Sequence, residues 1–267
     1  MPKQVIYILG SSRTGSTMLD MMLGSHPDCA SLGHFSLVEQ KEKPTEKLSK
    51  IQQQGFCSLC GNTCEKWDEF DKIVRPPAYH SAAFEVFGSN ILIDSSKKIH
   101  WIDLTAGVGG VLPKIIRVVR HGLDRLWTAH VRSGEISKKD IVRWIEHEQY
   151  IDKYMYMAPL QKMTVKYEDV CSGEGLQQCC SFIGIDYRPD MREFWKHEHH
   201  TIMANPKTSM LMRLHHGKPV SLTQDQQDLL RARGYKVKPM NRRGLFSVKE
   251  KELFMKYGEK YNRKQGY

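Results

Sequence analysis

Gly10, Gly15, Ser16 and Thr17 are spaced to hold a phosphate, and Arg13 stands between the two glycines. Small residues let a backbone turn tightly and aim several N–H groups at one point, hydroxyls add donors, and a guanidinium adds charge matched to an anion. The run nearly follows the nucleoside-triphosphate loop Gly-x-x-x-x-Gly-Lys-Ser/Thr, but Ser16 takes the lysine position and the nearest cation is Arg13. The same residue types also suit a tight turn that binds nothing. Three more candidates follow apolar runs: Lys97, Arg120 and Tyr167. A separate group, Cys57-x-x-Cys60-x-x-x-Cys64, belongs to a chain with seven cysteines. It suits a redox pair, three reduced thiols or a zinc site, with His34, Cys29 or His80 to complete the ligand set. His197, His199 and His200 form a second cluster, read either as surface residues or as metal ligands.

The positioning elements follow from the pattern. Val5–Leu9 is short, apolar and β-branched, which predicts a buried strand leading into the glycine loop. Met18, Leu19, Met22 and Leu23 recur at helical spacing until Gly24 and Pro27 end the pattern. Ile91–Asp94, Lys114–Val119 and Met163–Lys166 predict three more strands, which deliver Lys97, Arg120 and Tyr167. In an open parallel sheet the ligand crevice lies beyond the carboxyl ends of the strands, so one nucleotide could meet all four candidates. Ser137 with Asp140 opens a helix reaching Ala158, whose Trp144, Tyr150, Tyr154 and Tyr156 could line an acceptor site or serve as core and rim. Leu176–Ile183 is a further helix. Thr223 with Gln226, and Ser247 with Glu250, look like capping boxes, the second opening a helix that carries Leu253, Phe254, Tyr257 and Tyr261 on one side. Gln40 to Gln54, rich in Lys, Glu and Gln, reads as a mobile, solvated lid or connection.

A chain of 267 residues can bury a full core, and 40% hydrophobic with 26% charged residues is the composition of a globular protein. The N-terminal apolar run spans about five residues, too short for a signal peptide or membrane span, so a cytoplasmic protein is expected. The net charge of +10 favours anionic partners. Much of it lies in Arg231, Arg233, Lys236, Lys238, Arg242 and Arg243, which suit a solvated basic face or a patch for an acidic acceptor.

Arg13-Thr14-Gly15-Ser16-Thr17 resembles the 5′-phosphosulfate loop of sulfotransferases that use 3′-phosphoadenosine 5′-phosphosulfate (PAPS), bacterial and tyrosylprotein members above all. Arg120-His121-Gly122-Leu123-Asp124, with Thr128 eight residues after Arg120, resembles the family's 3′-phosphate motif, Gly122 and Leu123 replacing its proline and second arginine. Asp94-Ser95-Ser96-Lys97, Tyr167-Glu168-Asp169, the cysteine segment and His26-Pro27-Asp28 also have family counterparts. His34 stands where tyrosylprotein enzymes carry a glutamate, and Ala204 where bacterial members carry a glycine.

The resemblance covers about Val5 to Pro206. It implies a three-layer α/β fold with a central parallel sheet, like that of P-loop nucleotide hydrolases. A domain over 1–206 with a cysteine-containing insertion at about 40–89 is then followed by a basic helical extension over 207–267 packed on the same domain. The implied reaction moves a sulfuryl group in line to an acceptor hydroxyl, releasing adenosine 3′,5′-bisphosphate (PAP). In this scheme Arg13, His34 and Lys97 are catalytic, His34 acting as base or only as a loop residue. Ser12, Arg13, Thr14, Gly15, Ser16, Thr17, Arg120, Thr128, Tyr167, Arg242 and Arg243 hold the donor, with Tyr167 near the adenine. The transfer requires no metal, and Cys57, Cys60 and Cys64 remain a possible site apart from it. The acceptor is a carbohydrate, tyrosyl peptide, lipid, or small alcohol or phenol, with neither nucleic acid nor a membrane span involved. A P-loop kinase or NTPase is the first alternative, with Asp94 the one acidic strand end for Mg²⁺, and a non-catalytic nucleic-acid-binding protein is the second.

Overall fold

Five parallel strands run through the centre of the molecule in the order β2-β3-β1-β4-β5. They are β1 (Gln4–Leu9), β2 (Cys29–Gly33), β3 (Ile91–Asp94), β4 (Leu112–Val119) and β5 (Gln161–Lys166). The computed structural model describes residues 2–39, 56–233, 237 and 241–267. The expected lid or connection over 40–54 and the basic residues Lys236 and Lys238 lie outside the described residues. β1 is central and buried along its whole length, as a strand covered on both faces must be. Tyr7 pairs with Asp94 of β3 and with Ile115 of β4, which brings the ends of the three strands level.

Four of the five strands coincide with the apolar runs. The unexpected one is β2, whose Cys-Ala-Ser-Leu-Gly has no β-branched residue to announce it. Its small side chains are a packing requirement. The helix α1 (Ser16–Gly24) ends against it, and a Cβ on Gly24 would stand 2.5 Å from that of Ser31.

Helices α2 (Glu65–Ile73), α3 (Tyr79–Phe87) and α4 (Ile99–Thr105) lie between β2 and β4 in the chain. Trp67 and Phe70 of α2 anchor it through buried edge and tilted contacts to Phe35. After β4 come α5 (Gly122–Ser133) and α6 (Lys138–Met157), the latter opened by the expected Ser137–Asp140 capping box. Helices α7 (Tyr167–Ser172) and α8 (Glu174–Ile183) follow β5, then α9 (Pro206–His215) and α10 (Gln224–Arg233). Arg231 and Arg233 fall in α10.

The last expected helix is two, α11 (Val248–Tyr257) and α12 (Glu259–Lys264). The break is at Gly258, where a Cβ would meet the Phe254 ring at 2.7 Å and Ile141 at 3.2 Å. Phe254 and Tyr261 still reach a second core with Leu126, Ile141 and Trp144. Trp144 is thus a core residue stacked on Phe254 at 5.7 Å. Tyr150 and Tyr156 are exposed, and Tyr154 donates to Asp103 at 2.7 Å.

A buried ion cluster ties this second core to the sheet. Arg117 of β4 donates to Glu148 of α6 at 2.8 Å and also to Asp152, which accepts from Tyr261 of α12 at 2.6 Å. No described helix is long and apolar enough to cross a membrane.

Candidate functional site

The loop between β1 and α1 is shaped by two left-handed residues. Gly15 caps α1 at φ 95°, and Arg13 stands at φ 71°. Among the described residues only Arg13, Lys97 and Met203 combine a side chain with positive φ. Such backbone costs of order 1–3 kcal/mol and persists where the surroundings impose it. Two of the three are the cations singled out from the sequence.

Thr14 turns inward and donates its hydroxyl to Ser11 O at 2.9 Å, so it closes the loop. Ser16 is the buried first residue of α1, Thr17 is half-buried, and Ser12 and Arg13 face solvent. Ser11 Oγ is buried with no hydrogen-bond partner among the described residues. An orphaned hydroxyl inside a glycine loop at a helix N-terminus, with cations around it, suits a phosphate or sulfate ester.

The other strand ends converge on this loop. Arg120, just beyond β4, donates from Nη1 to Arg13 O at 3.1 Å. Its guanidinium lies 4.2 Å from the centroid of the Tyr167 ring, a cation–π contact at the end of β5. That ring covers Gly15 so closely that a Cβ there would stand 2.3 Å from Tyr167 Cδ2. Gly15 is therefore required twice, by its φ and by its neighbour. The Tyr167 ring, which the resemblance places near the adenine, thus lies against the Arg120 guanidinium.

Lys97 follows β3. Burial pulls its ammonium down to about 8; Asp20 opposes that shift and Arg13 adds to it. Asp20, on α1, accepts from Ser31 and Ser95, each at 2.7 Å, and so joins α1 to the ends of β2 and β3. Burial nevertheless pushes its carboxyl up to about 7. Asp20 was not singled out from the sequence, although a carboxylate inside an apolar helix is a signal.

His34 follows β2, half-buried, where its N–H donates to Ile202 O at 2.9 Å. Gly33, at φ 70°, pairs with Asp94 of β3, so His34 and Lys97 leave neighbouring strand ends.

Asp94 itself is fully engaged. Its Oδ2 accepts from Trp101 Nε1 at 2.7 Å and His80 Nε2 at 3.1 Å, and its Oδ1 accepts from Ser96 N at 2.9 Å. It organises the β3 end and is not the open acidic ligand that a magnesium-dependent kinase places there.

Both departures from the 3′-phosphate motif have structural reasons. Gly122 uses the N–H that proline lacks, donating to Asn262 Oδ1 at 2.9 Å, and a Cβ there would lie 2.4 Å from Trp144. Leu123 is buried in the second core. Cations return from the C-terminal segment: Arg242 N donates to Asp124 Oδ1 at 2.6 Å, and Arg243 Nε lies 3.4 Å from Asp124 Oδ2. Thr128 is exposed on α5, about two turns beyond Arg120. Tyr267, which no sequence pattern marked, donates to Glu168 at 2.6 Å and packs edge-on to His121 at 5.4 Å, beside Arg120.

The cysteine cluster takes none of its suggested partners His34, Cys29 or His80. Among the described residues it gathers Cys57, Cys60, Cys64 and His200, and His199 is buried, its Nε2–H donating to Phe194 O at 2.9 Å, rather than a surface residue.

A parallel sheet with a glycine loop after its central strand and cations at the adjoining strand ends defines a P-loop-like anion-handling fold. Within that class, residues 5–189 match the family described as "Sulfotransferase family", and the chain belongs to it. Among solved structures, the "Sulfotransferase Domain from the Synechococcus PCC 7002 Olefin Synthase" shares the fold at 16% identity and a TM-score of 0.52, covering 85% of this chain and 92% of its own. The "Sulfotransferase Domain from the Curacin Biosynthetic Pathway" aligns at 15% identity and a TM-score of 0.48, covering 96% of this chain and 97% of its own. No curated protein matches the chain in sequence.

Proposed function

We propose that the chain transfers a sulfuryl group from PAPS to an acceptor hydroxyl. The observation that carries this is the meeting of Arg13, Arg120, Tyr167 and Gly15 at the ends of β1, β4 and β5, with Lys97 at the end of β3. The donor supplies an activated sulfonate on a phosphate leaving group. The loop N–H groups, Ser12, Ser16 and Thr17 hold the 5′-phosphate at the N-terminus of α1, and Thr14 and Gly15 keep the loop in shape. Arg120, backed by Arg242 and Arg243 near the start of α5, takes the 3′-phosphate, and Thr128 supplies a hydroxyl on the same helix. Arg13 meets the charge that develops on the leaving oxygen, and Lys97 meets the sulfonate. His34, one strand away from Lys97, accepts the acceptor's proton. Residues 1–206 carry this chemistry, and the helices over 207–267 complete the donor side and pack on the same domain.

Incubation with radiolabelled PAPS and panels of phenols, alcohols and saccharides tests the reading directly. Label moving to an acceptor together with release of PAP is expected; consumption of ATP with no response to PAPS would contradict it.

The lowered Lys97 gives a pH signature. Its charged form is the active one, so donor kcat/KM, which follows the free enzyme, is expected to fall as pH rises through about 8. A guanidinium stays charged throughout, so Lys97→Arg should keep measurable activity and move that limb beyond the accessible range. A limb at the same pH in wild type and variant would remove Lys97 from this role.

A further inference from the structure

Outside the donor site the chain gathers three thiols and an imidazole for which the transfer reaction has no use. Cys57, Cys60 and Cys64 come from the loop that leads into α2, and His200 arrives from beyond α8, yet all four ligand atoms lie within 4.8 Å of one another. His200 Nδ1 stands 3.2 Å from Cys64 Sγ, 3.4 Å from Cys60 Sγ and 3.8 Å from Cys57 Sγ. Tetrahedral zinc, with bonds of about 2.3 Å to sulfur and 2.0–2.1 Å to nitrogen, spaces such atoms about 3.5–3.6 Å apart. We infer that Cys57, Cys60, Cys64 and His200 form a closed Cys₃His site for a structural Zn²⁺.

The surroundings are those of a zinc site in three independent respects. His200 Nε2 lies 3.1 Å from Glu198 Oε1, so the carboxylate accepts from Nε2–H, which fixes the tautomer and leaves Nδ1 as the lone-pair donor facing the thiols. Cys57 and Gly61 exchange both backbone hydrogen bonds, at 3.1 and 2.9 Å, and Cys60 N donates to Cys57 Sγ at 3.4 Å. Gly61 sits at φ 78°, so the first two thiols share a tight knuckle that only a left-handed residue can close. Cys64 caps the N-terminus of α2, where the helix dipole favours a thiolate. Binding would expel three thiol protons to solvent, leaving a net charge of −1 on the centre, with Lys66 and Lys218 as facing cations.

The metal has a structural task beside the catalytic edge. Ser58 N donates to Thr201 O at 2.8 Å, Trp67 Nε1 donates to His200 O at 2.7 Å, and Ile202 bridges to both Cys57 and Gly33. Residues 200–203 are thereby fixed along the end of β2, where Ile202 O holds the His34 N–H. A Cβ on Gly33 would stand 2.3 Å from Ile202 O, so there is no slack between the strand and the clipped segment. Zinc therefore fastens the wall beside His34 without touching the reacting atoms.

Elemental analysis of the full chain, purified without chelator, is expected to give one zinc per molecule. Exchange for Co²⁺ should produce the intense visible bands of a tetrahedral cobalt thiolate. Glu198 is largely exposed, and Glu198→Gln should fold normally while weakening zinc in a chromophoric-chelator competition by about 10- to 100-fold. His200→Cys should retain the metal as a Cys₄ site, and His200→Ala should lose it. The inference is overturned if the folded wild type carries no zinc, takes up none when supplied, and shows thiol reactivity indifferent to chelator. It is equally overturned if the chain is two hydrogens lighter from a disulfide within the cluster. Neither outcome bears on PAPS binding, which is measured separately.

Discussion

Replacing Arg13 by alanine is expected to lower sulfuryl transfer by about 10²- to 10³-fold, the usual cost of removing one donor aimed at developing charge. The side chain faces solvent, so no packing is lost. What Arg13 gives to the architecture is its carbonyl, which accepts from Arg120 Nη1, and alanine keeps a carbonyl. Arg120 should therefore remain over Tyr167, and the variant isolates the guanidinium. Because the role lies with charge that appears during transfer, kcat should fall far more than donor affinity. Arg13→Lys should recover part of the rate, since a point charge survives while the fork geometry does not. Release of PAP from PAPS in the presence of an acceptor, followed for all three proteins, checks the ordering. An Arg13→Ala enzyme that keeps most of its rate would remove the residue from the reaction.

Arg117→Ala should lower stability by about 3–5 kcal/mol, because it strands a buried charge. Glu148 is 1% exposed and loses the ion partner that neutralises it. Asp152 keeps Tyr261 and Lys264. The consequence spreads, because this cluster fastens β4, α6 and α12 together. Denaturant titration at neutral pH measures the loss, and a difference below about 1 kcal/mol would show that the pair is not uncompensated. The sign with pH is also fixed. Although burial opposes it, Tyr261 and Arg117 hold the Asp152 carboxyl below its usual range. A depressed carboxyl adds stability above its unfolded pKa near 3.8 and loses it as pH falls through the folded value. The gap between wild type and variant should therefore narrow in acid.

The sheet was legible where its strands are apolar and β-branched, as in Val5–Leu9 and Ile91–Asp94, and illegible where they are small. β2 was missed because close approach to α1 demands small side chains, which look like a loop in sequence. In the site, Arg13, Lys97, Arg120 and Tyr167 could be named because each follows a recognisable strand, and a parallel sheet brings such positions to one edge. Their contacts could not be read: Tyr167 stacks on Arg120, and Gly122 and Leu123 answer to a C-terminal core far away in the chain. His200 stayed apart from Cys57, Cys60 and Cys64 for the same reason, since ligands contributed across a fold leave no local spacing.

A donor site for PAPS must distinguish a nucleotide carrying a 3′-phosphate. Calorimetric titration of the wild type and Arg120→Ala with PAP, AMP and ATP measures that discrimination, with circular dichroism confirming that the variant is folded. PAP should bind the wild type at least about tenfold more tightly than AMP, a difference of about 1.4 kcal/mol, and Arg120→Ala should erase that preference. Equal affinity of the wild type for PAP and AMP would rule out a 3′-phosphate site at Arg120, as would a preference for ATP.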